Sequence, residues 1–349
     1  GWREEIEELV GAAQRDWDSI ETGRGFGAPS LVVHKGTWDV PLKVVAQEVA
    51  EAEISLTARV HELESKNNAE IAAQYDLDSQ YANPRAIASV ALIQNPWAVG
   101  KVKTPDPSKQ QAQRSVGDLI SYAVGCMFGR YSLDEPGLVL ADHGATLQDY
   151  LERVPVPTFK PDADNVIPMV DGDWFEDDVV GLFRRFLRSA FGDKHFEENL
   201  RFVTESLGVR DIRDYFITKT GRSKFYDDHV QRYKKRPIYW LFSSPKGSFN
   251  ALIYMHRYMP SAVSTVLTYL REYVTKLESA LQEAERAGNA KEADRLRKIL
   301  VELNEYEHDT LYPKASENVI IDLDDGVKAN YPKFGAALKK IAGLEASGG

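Results

Sequence analysis

The stretch Ile238-Tyr239-Trp240-Leu241-Phe242, Ser243-Ser244-Pro245-Lys246-Gly247-Ser248, Phe249-Asn250-Ala251-Leu252-Ile253-Tyr254 decides the fold class. Two β-prone runs, aromatic and aliphatic, flank six residues of turn chemistry. That arrangement predicts a β-hairpin within Pro237 to Tyr258.

Outward from the hairpin the sequence reads mostly as helix. Leu42, Val45, Val49, Leu56, Val60 and Leu63 recur mainly at steps of three and four, which predicts one long helix from Leu42 to Ala73. Arg114 to Phe128 reads as a buried helix or apolar segment. Asp177 to Phe191 reads as an amphipathic helix, with Glu176, Asp177 and Asp178 favouring its N-terminal dipole. Beyond Pro260, one stripe includes Val263, Val266, Leu270 and Leu277, and a second includes Ala293, Leu296, Leu300 and Leu303. With Ala287-Gly288-Asn289 between them, an antiparallel helical hairpin is expected. Leu138 to Leu140 and the start of Ile320 to Leu344 read as short strands. Asn83-Pro84 punctuates the chain, and Lys101 to Ser108 reads as an exposed loop. The prolines from Pro155 to Pro168 mark a segment without regular structure.

Charge first points one way and then the other. The 349 residues carry a net charge of -10, which argues against a nonspecific polyanion binder. Between Arg210 and Arg257, however, eleven basic residues face four acidic ones, a local +7 that leaves -17 elsewhere. Ten aromatic residues share that window, so cations able to neutralise phosphates alternate with rings able to stack on bases. A solvated basic run beside core aromatics is the competing reading.

Other chemistries are weakly signalled. The single cysteine, Cys126, excludes an internal disulfide and a Cys-rich zinc site, so a reducing, cytoplasmic setting is expected. No apolar run approaches the ~18 residues of a membrane helix, and the glutamates at Glu4 to Glu8 do not suit a signal peptide. His143, His195, His229 and His256 lack metal-motif spacing. The acidic run from Asp162 to Asp178 lacks the order of a calcium loop and reads as a solvated loop and helix start. Gly23, Gly25 and Gly27 do not make a phosphate loop.

Four strings resemble the C-terminal part of the PglX family, adenine-specific DNA methyltransferases of BREX phage-defence systems. They are Tyr233 to Tyr258, Ser121 to Leu133, Asp164 to Pro168 and Ile321 to Lys328. Order and spacing fit from about Asp16 to Leu344, with a departure at Gly23-Arg24-Gly25. The resemblance implies a target-recognition half, with S-adenosylmethionine bound by a methyltransferase domain that this chain lacks. No catalytic residue carries over, and no cofactor is expected in the chain itself.

The expected fold is therefore α+β and helix-rich. A helical connector spans 1–110, an α/β target-recognition core with the β-hairpin spans 111–260, and a helical hairpin with the C-terminal segment spans 261–349. Arg222, Lys224, Arg232, Lys234, Lys235 and Lys246 are the expected phosphate contacts. Tyr233, Arg236, Ser243, Ser244 and Ser248 are the expected groove or base contacts. The implied partners are double-stranded DNA and the methyltransferase domain of the same full-length protein. The alternative is a protein-interaction module that docks other defence components or a phage inhibitor.

Overall fold

The stripe Leu42, Val45, Val49, Val60 and Leu63 folds as one helix, Leu42–Gln74, with each of those side chains buried. Its N-terminus follows Pro41, which has no side-chain group to offer the free backbone donors. Asn199 supplies one, its Oδ1 accepting from the Leu42 amide at 2.7 Å. The computed structural model describes residues 2–34, 40–77, 85–98 and 106–345. It is a helix-rich α+β protein with a three-stranded antiparallel sheet, and its chain divides into two compact units.

The first unit comprises Gly1–Ala123 and Leu187–Gly208. Helix Trp2–Asp18 packs on Leu42–Gln74 around Ala12, Val60, Val90 and Leu92. Asp16, 5% exposed, accepts from the amides of Ile93 (2.6 Å) and Gln94 (2.8 Å), so a buried carboxylate fixes the loop after Val90. Helix Phe196–Leu207 ends at Gly208, whose φ of 68° is the usual left-handed C-terminal stop.

The second unit comprises Val124–Phe186 and Val209–Gly349. The hairpin forms as expected. Strand β2 (Tyr239–Ser243) pairs with β3 (Asn250–Tyr254), Leu241 opposite Leu252. The outer neighbour of β3 is β1 (Ile167–Pro168), giving the order β1-β3-β2. Every residue of β2 and β3 is buried, which explains the continuous apolar runs where an alternating pattern would mark a half-exposed sheet. The helical hairpin also forms, from Ala262–Arg286 and Ala290–Tyr306, with Gly288 at φ 67° and Asn289 capping the second helix.

The C-terminal segment returns to the sheet. Leu338 bridges Phe242, and the Lys339 amide donates to the Leu241 carbonyl at 2.7 Å. Tyr331 and Phe334 stand edge-on to Trp240, each with ring centroids 5.5 Å from it. The exposed edge of β2 is thereby covered.

Four local expectations are corrected. Leu138 to Leu140 is not a strand; the Val139 and Leu140 amides bond to the Arg130 and Gly129 carbonyls across an irregular segment. Ile320-Ile321 is not a strand either, and leads into the short turn Leu323–Asp325. Pro168 lies within β1, where an edge position needs no amide donor. In the loop expected at Lys101 to Ser108, residues 101–105 lie outside the described residues, as do Asn83 and Pro84. Pro107 and Ser108 instead start helix Pro107–Met127, with Asp106 accepting from the Ser108 and Lys109 amides. Among the described residues no helix is long and apolar enough to cross a membrane.

Candidate nucleic-acid interface

Ser223 caps helix Lys224–Arg232, its Oγ accepting from the Tyr226 amide at 3.0 Å. Phe225, Tyr226 and His229 are buried, and Lys224, Asp227, Asp228 and Gln231 are exposed. His229 Nε2 accepts from the Tyr239 amide at 3.1 Å, locking the helix to β2. Burial holds this imidazole's pKa well below the usual histidine range, so it is neutral and works as an acceptor. It is part of the core, not a reacting group.

The helix ends without a glycine. Lys234 and Lys235 both take left-handed backbone conformations, with φ of 51° and 62°. Their amides return to the carbonyls of Gln231 (3.0 Å) and Val230 (2.8 Å), the closing pattern that usually recruits glycine. Two successive lysines there store strain on the order of 1 kcal/mol each. Lys234, Lys235 and Arg236 are all exposed.

A second basic group forms where two turns touch. Gly221 and Gly247 have φ of 73° and 75°, and their backbones are in direct contact. That contact places exposed Arg222 beside exposed Lys246. The hairpin turn is held from below by Glu302 of helix Ala290–Tyr306. Its carboxylate accepts from Ser244 Oγ (2.5 Å), Ser248 Oγ (2.5 Å) and the Lys246 amide (2.8 Å). Ser243 is buried and donates to the Ser244 carbonyl at 3.2 Å. The three serine hydroxyls thus shape the turn, while Lys246 is the side chain it presents to solvent.

The aromatic residues of the basic window are mostly core. Nine of the ten are buried, and only Tyr233 is half-exposed, packed on His229 with ring centroids 4.8 Å apart. Two of the window's cations also turn inward. Arg213 donates to Asp178 (2.7 Å), to Asp173 and to the Val170 carbonyl. Arg257, 5% exposed, donates to the carbonyls of Phe128, Asp162 and Ala163. Arg232 is half-buried, and the Lys224 ammonium lies 5.8 Å from the Tyr215 ring centroid. Burial and neighbouring Asp164 raise the Asp162 carboxyl to about 7. Among the described residues no group of three or more His, Cys, Asp or Glu side chains has metal-binding geometry.

A pair outside the window joins this surface. Lys339 and Lys340 line a cavity of about 450 Å³ together with Lys234 and Lys235, over Tyr226, Val230 and Ile341. A neighbouring cavity of about 480 Å³ reaches from Lys339 and Lys340 to Ser244 and Pro245 at the hairpin turn. Sequence reasoning missed these two lysines because they lie about 80 residues beyond the basic window. Their one signal was an adjacent basic pair between Leu338 and Ile341.

The chain is 33% identical over 362 aligned positions to the adenine-specific methyltransferase BrxX of Escherichia coli O9:H4 (strain HS), covering 95% of this chain and 29% of that protein. It is 31% identical to the adenine-specific methyltransferase PglX of Lacticaseibacillus casei (strain Zhang), covering 97% of this chain and 28% of that protein. The chain is homologous to the BrxX and PglX adenine-specific methyltransferases. It spans less than a third of the length of these BrxX and PglX relatives, and so corresponds to one region of them. No protein-family model matches the chain.

Proposed function

We propose that the chain is the DNA target-recognition region of a BrxX/PglX-type adenine-specific methyltransferase of a BREX defence system. It would hold duplex DNA so that a separate methyltransferase domain, with S-adenosylmethionine, can act on an extruded adenine. Homology supplies the methyltransferase context. The observation that carries the DNA-binding role is the strained Lys234-Lys235 corner, which presents three consecutive exposed cations with Arg236. Arg222, Lys224 and Lys246 extend the phosphate-binding surface, and Tyr233 and Arg236 are the groups assigned to the groove. Ser243, Ser244 and Ser248 support it from within through the turn.

The test is duplex DNA binding by fluorescence anisotropy across a salt series. The triple variant K234A/K235A/R236A is expected to flatten the slope of log K against log salt by roughly 3, about 0.9 per lost phosphate contact. No binding at low salt, or an unchanged slope, refutes the reading and favours a protein-docking module.

A further inference from the structure

The Leu338-to-Ile341 segment does two things at one place. Its backbone closes the edge of β2 through the Leu338–Phe242 bridge and the Lys339–Leu241 hydrogen bond. Lys339 and Lys340 of the same segment line the cavity that Lys234 and Lys235 line from the end of helix Lys224–Arg232. Among the described residues Asp227 is the one acidic residue lining that cavity, so their net charge there is +3. Among the described residues none of the four lysines is engaged in an ion pair.

Four lysines against one aspartate around one concavity give it a positive character that suits an anion. Both lysine pairs are held by backbone constraints rather than by flexible loops: a helix stop on one side, a sheet edge on the other. The floor of Tyr226, Val230 and Ile341 is mainly apolar, which suits a sugar or other uncharged body beside a charged group. A phosphodiester has both parts, and 450 Å³ is room for a nucleotide unit.

We infer that Lys339 and Lys340 form, with Lys234 and Lys235, a clamp on the duplex DNA backbone, built from the end of the chain region that seals the sheet. This rests on the target-recognition reading and adds to it a binding element far from the basic window in sequence. The clamp contacts phosphates, so it contributes affinity and salt dependence without base preference.

The experiment measures binding of a 30-base-pair duplex, chosen longer than any single footprint, to the full chain across a salt series. K339A/K340A is compared with K339R/K340R, with far-ultraviolet circular dichroism and melting as fold controls. The alanine pair is expected to flatten the salt slope by about 2 and weaken binding roughly 30-fold near 0.15 M salt, and the arginine pair to restore both. If the alanine pair binds with the parental slope, the clamp is wrong while the target-recognition reading stands. If binding weakens without a change of slope, or arginine fails to restore it, the segment acts through the fold and the clamp is likewise wrong. If the folded parent chain binds no duplex at low salt, both readings fail together.

Discussion

Gly221 and Gly247 meet backbone to backbone: a Cβ on Gly221 would fall 2.2 Å from the Lys246 carbonyl oxygen, and one on Gly247 2.5 Å from the Gly221 oxygen. Both also take positive φ. Neither obstacle can be relieved by turning a side chain, because the obstructing atoms are backbone. G221A and G247A are each expected to cost about 3 kcal/mol or more in urea unfolding, and to weaken DNA binding by separating Arg222 from Lys246. An alanine at either position with parental stability would mean the two turns do not touch.

Glu302 lies 4% exposed beneath the hairpin turn and accepts three hydrogen bonds from it. E302A removes the acceptor for two hydroxyls and one amide, and is expected to destabilise by about 3–5 kcal/mol. E302Q keeps the shape and one acceptor oxygen, so a smaller loss, about 1–2 kcal/mol, is expected. Denaturant midpoints of the two variants, in that order, check the assignment.

Lys234 and Lys235 offer an opposed pair of effects. Replacing both with glycine relieves left-handed strain, so K234G/K235G is expected to melt no lower than the parent and to gain up to about 1 kcal/mol. The same variant should lose DNA affinity and flatten the salt slope by about 2. Melting and anisotropy on one preparation separate strain from charge.

Glu53 is pushed up to about 7, mainly by burial and further by Asp16, against a pull from Arg114. A carboxyl whose folded pKa lies above its unfolded value favours the folded state when protonated. Its contribution is complete below about pH 4.5 and is lost as pH rises through 7. At pH 8 the ionised group costs on the order of 2–3 kcal/mol. E53Q is therefore expected to stabilise the chain at pH 8 and to leave stability near pH 4 almost unchanged, as read by urea unfolding at the two values.

Much of the helical fold was legible in the sequence because amphipathic spacing is a local property: the 33-residue helix and the helical hairpin follow from it directly. The β-hairpin was legible from its turn chemistry. Strand β1 was not, because two residues ending in proline carry no period, and only pairing with β3 makes them a strand. Leu138 to Leu140 misled for the converse reason: Val139 and Leu140 are buried against Tyr150 and Val154, outside any sheet, while Leu138 is exposed. In the candidate site, the exposed cations were legible from composition. The serine turn was recognised as a turn, but its reliance on Glu302, 54 to 58 residues away, belongs to the tertiary fold. Lys339 and Lys340 were hidden by the same distance problem.

Closure of the β2 edge has a practical consequence for anyone shortening the chain. Cutting before Leu338 would leave Phe242 and Leu241 without the strand-like cover that Leu338 and Lys339 provide. An uncovered edge whose five residues are all apolar or small invites pairing with a second copy. Leu338 and Lys339 thus guard solubility as well as shape, and a truncated product that elutes as an oligomer would report the naked strand finding its own partner.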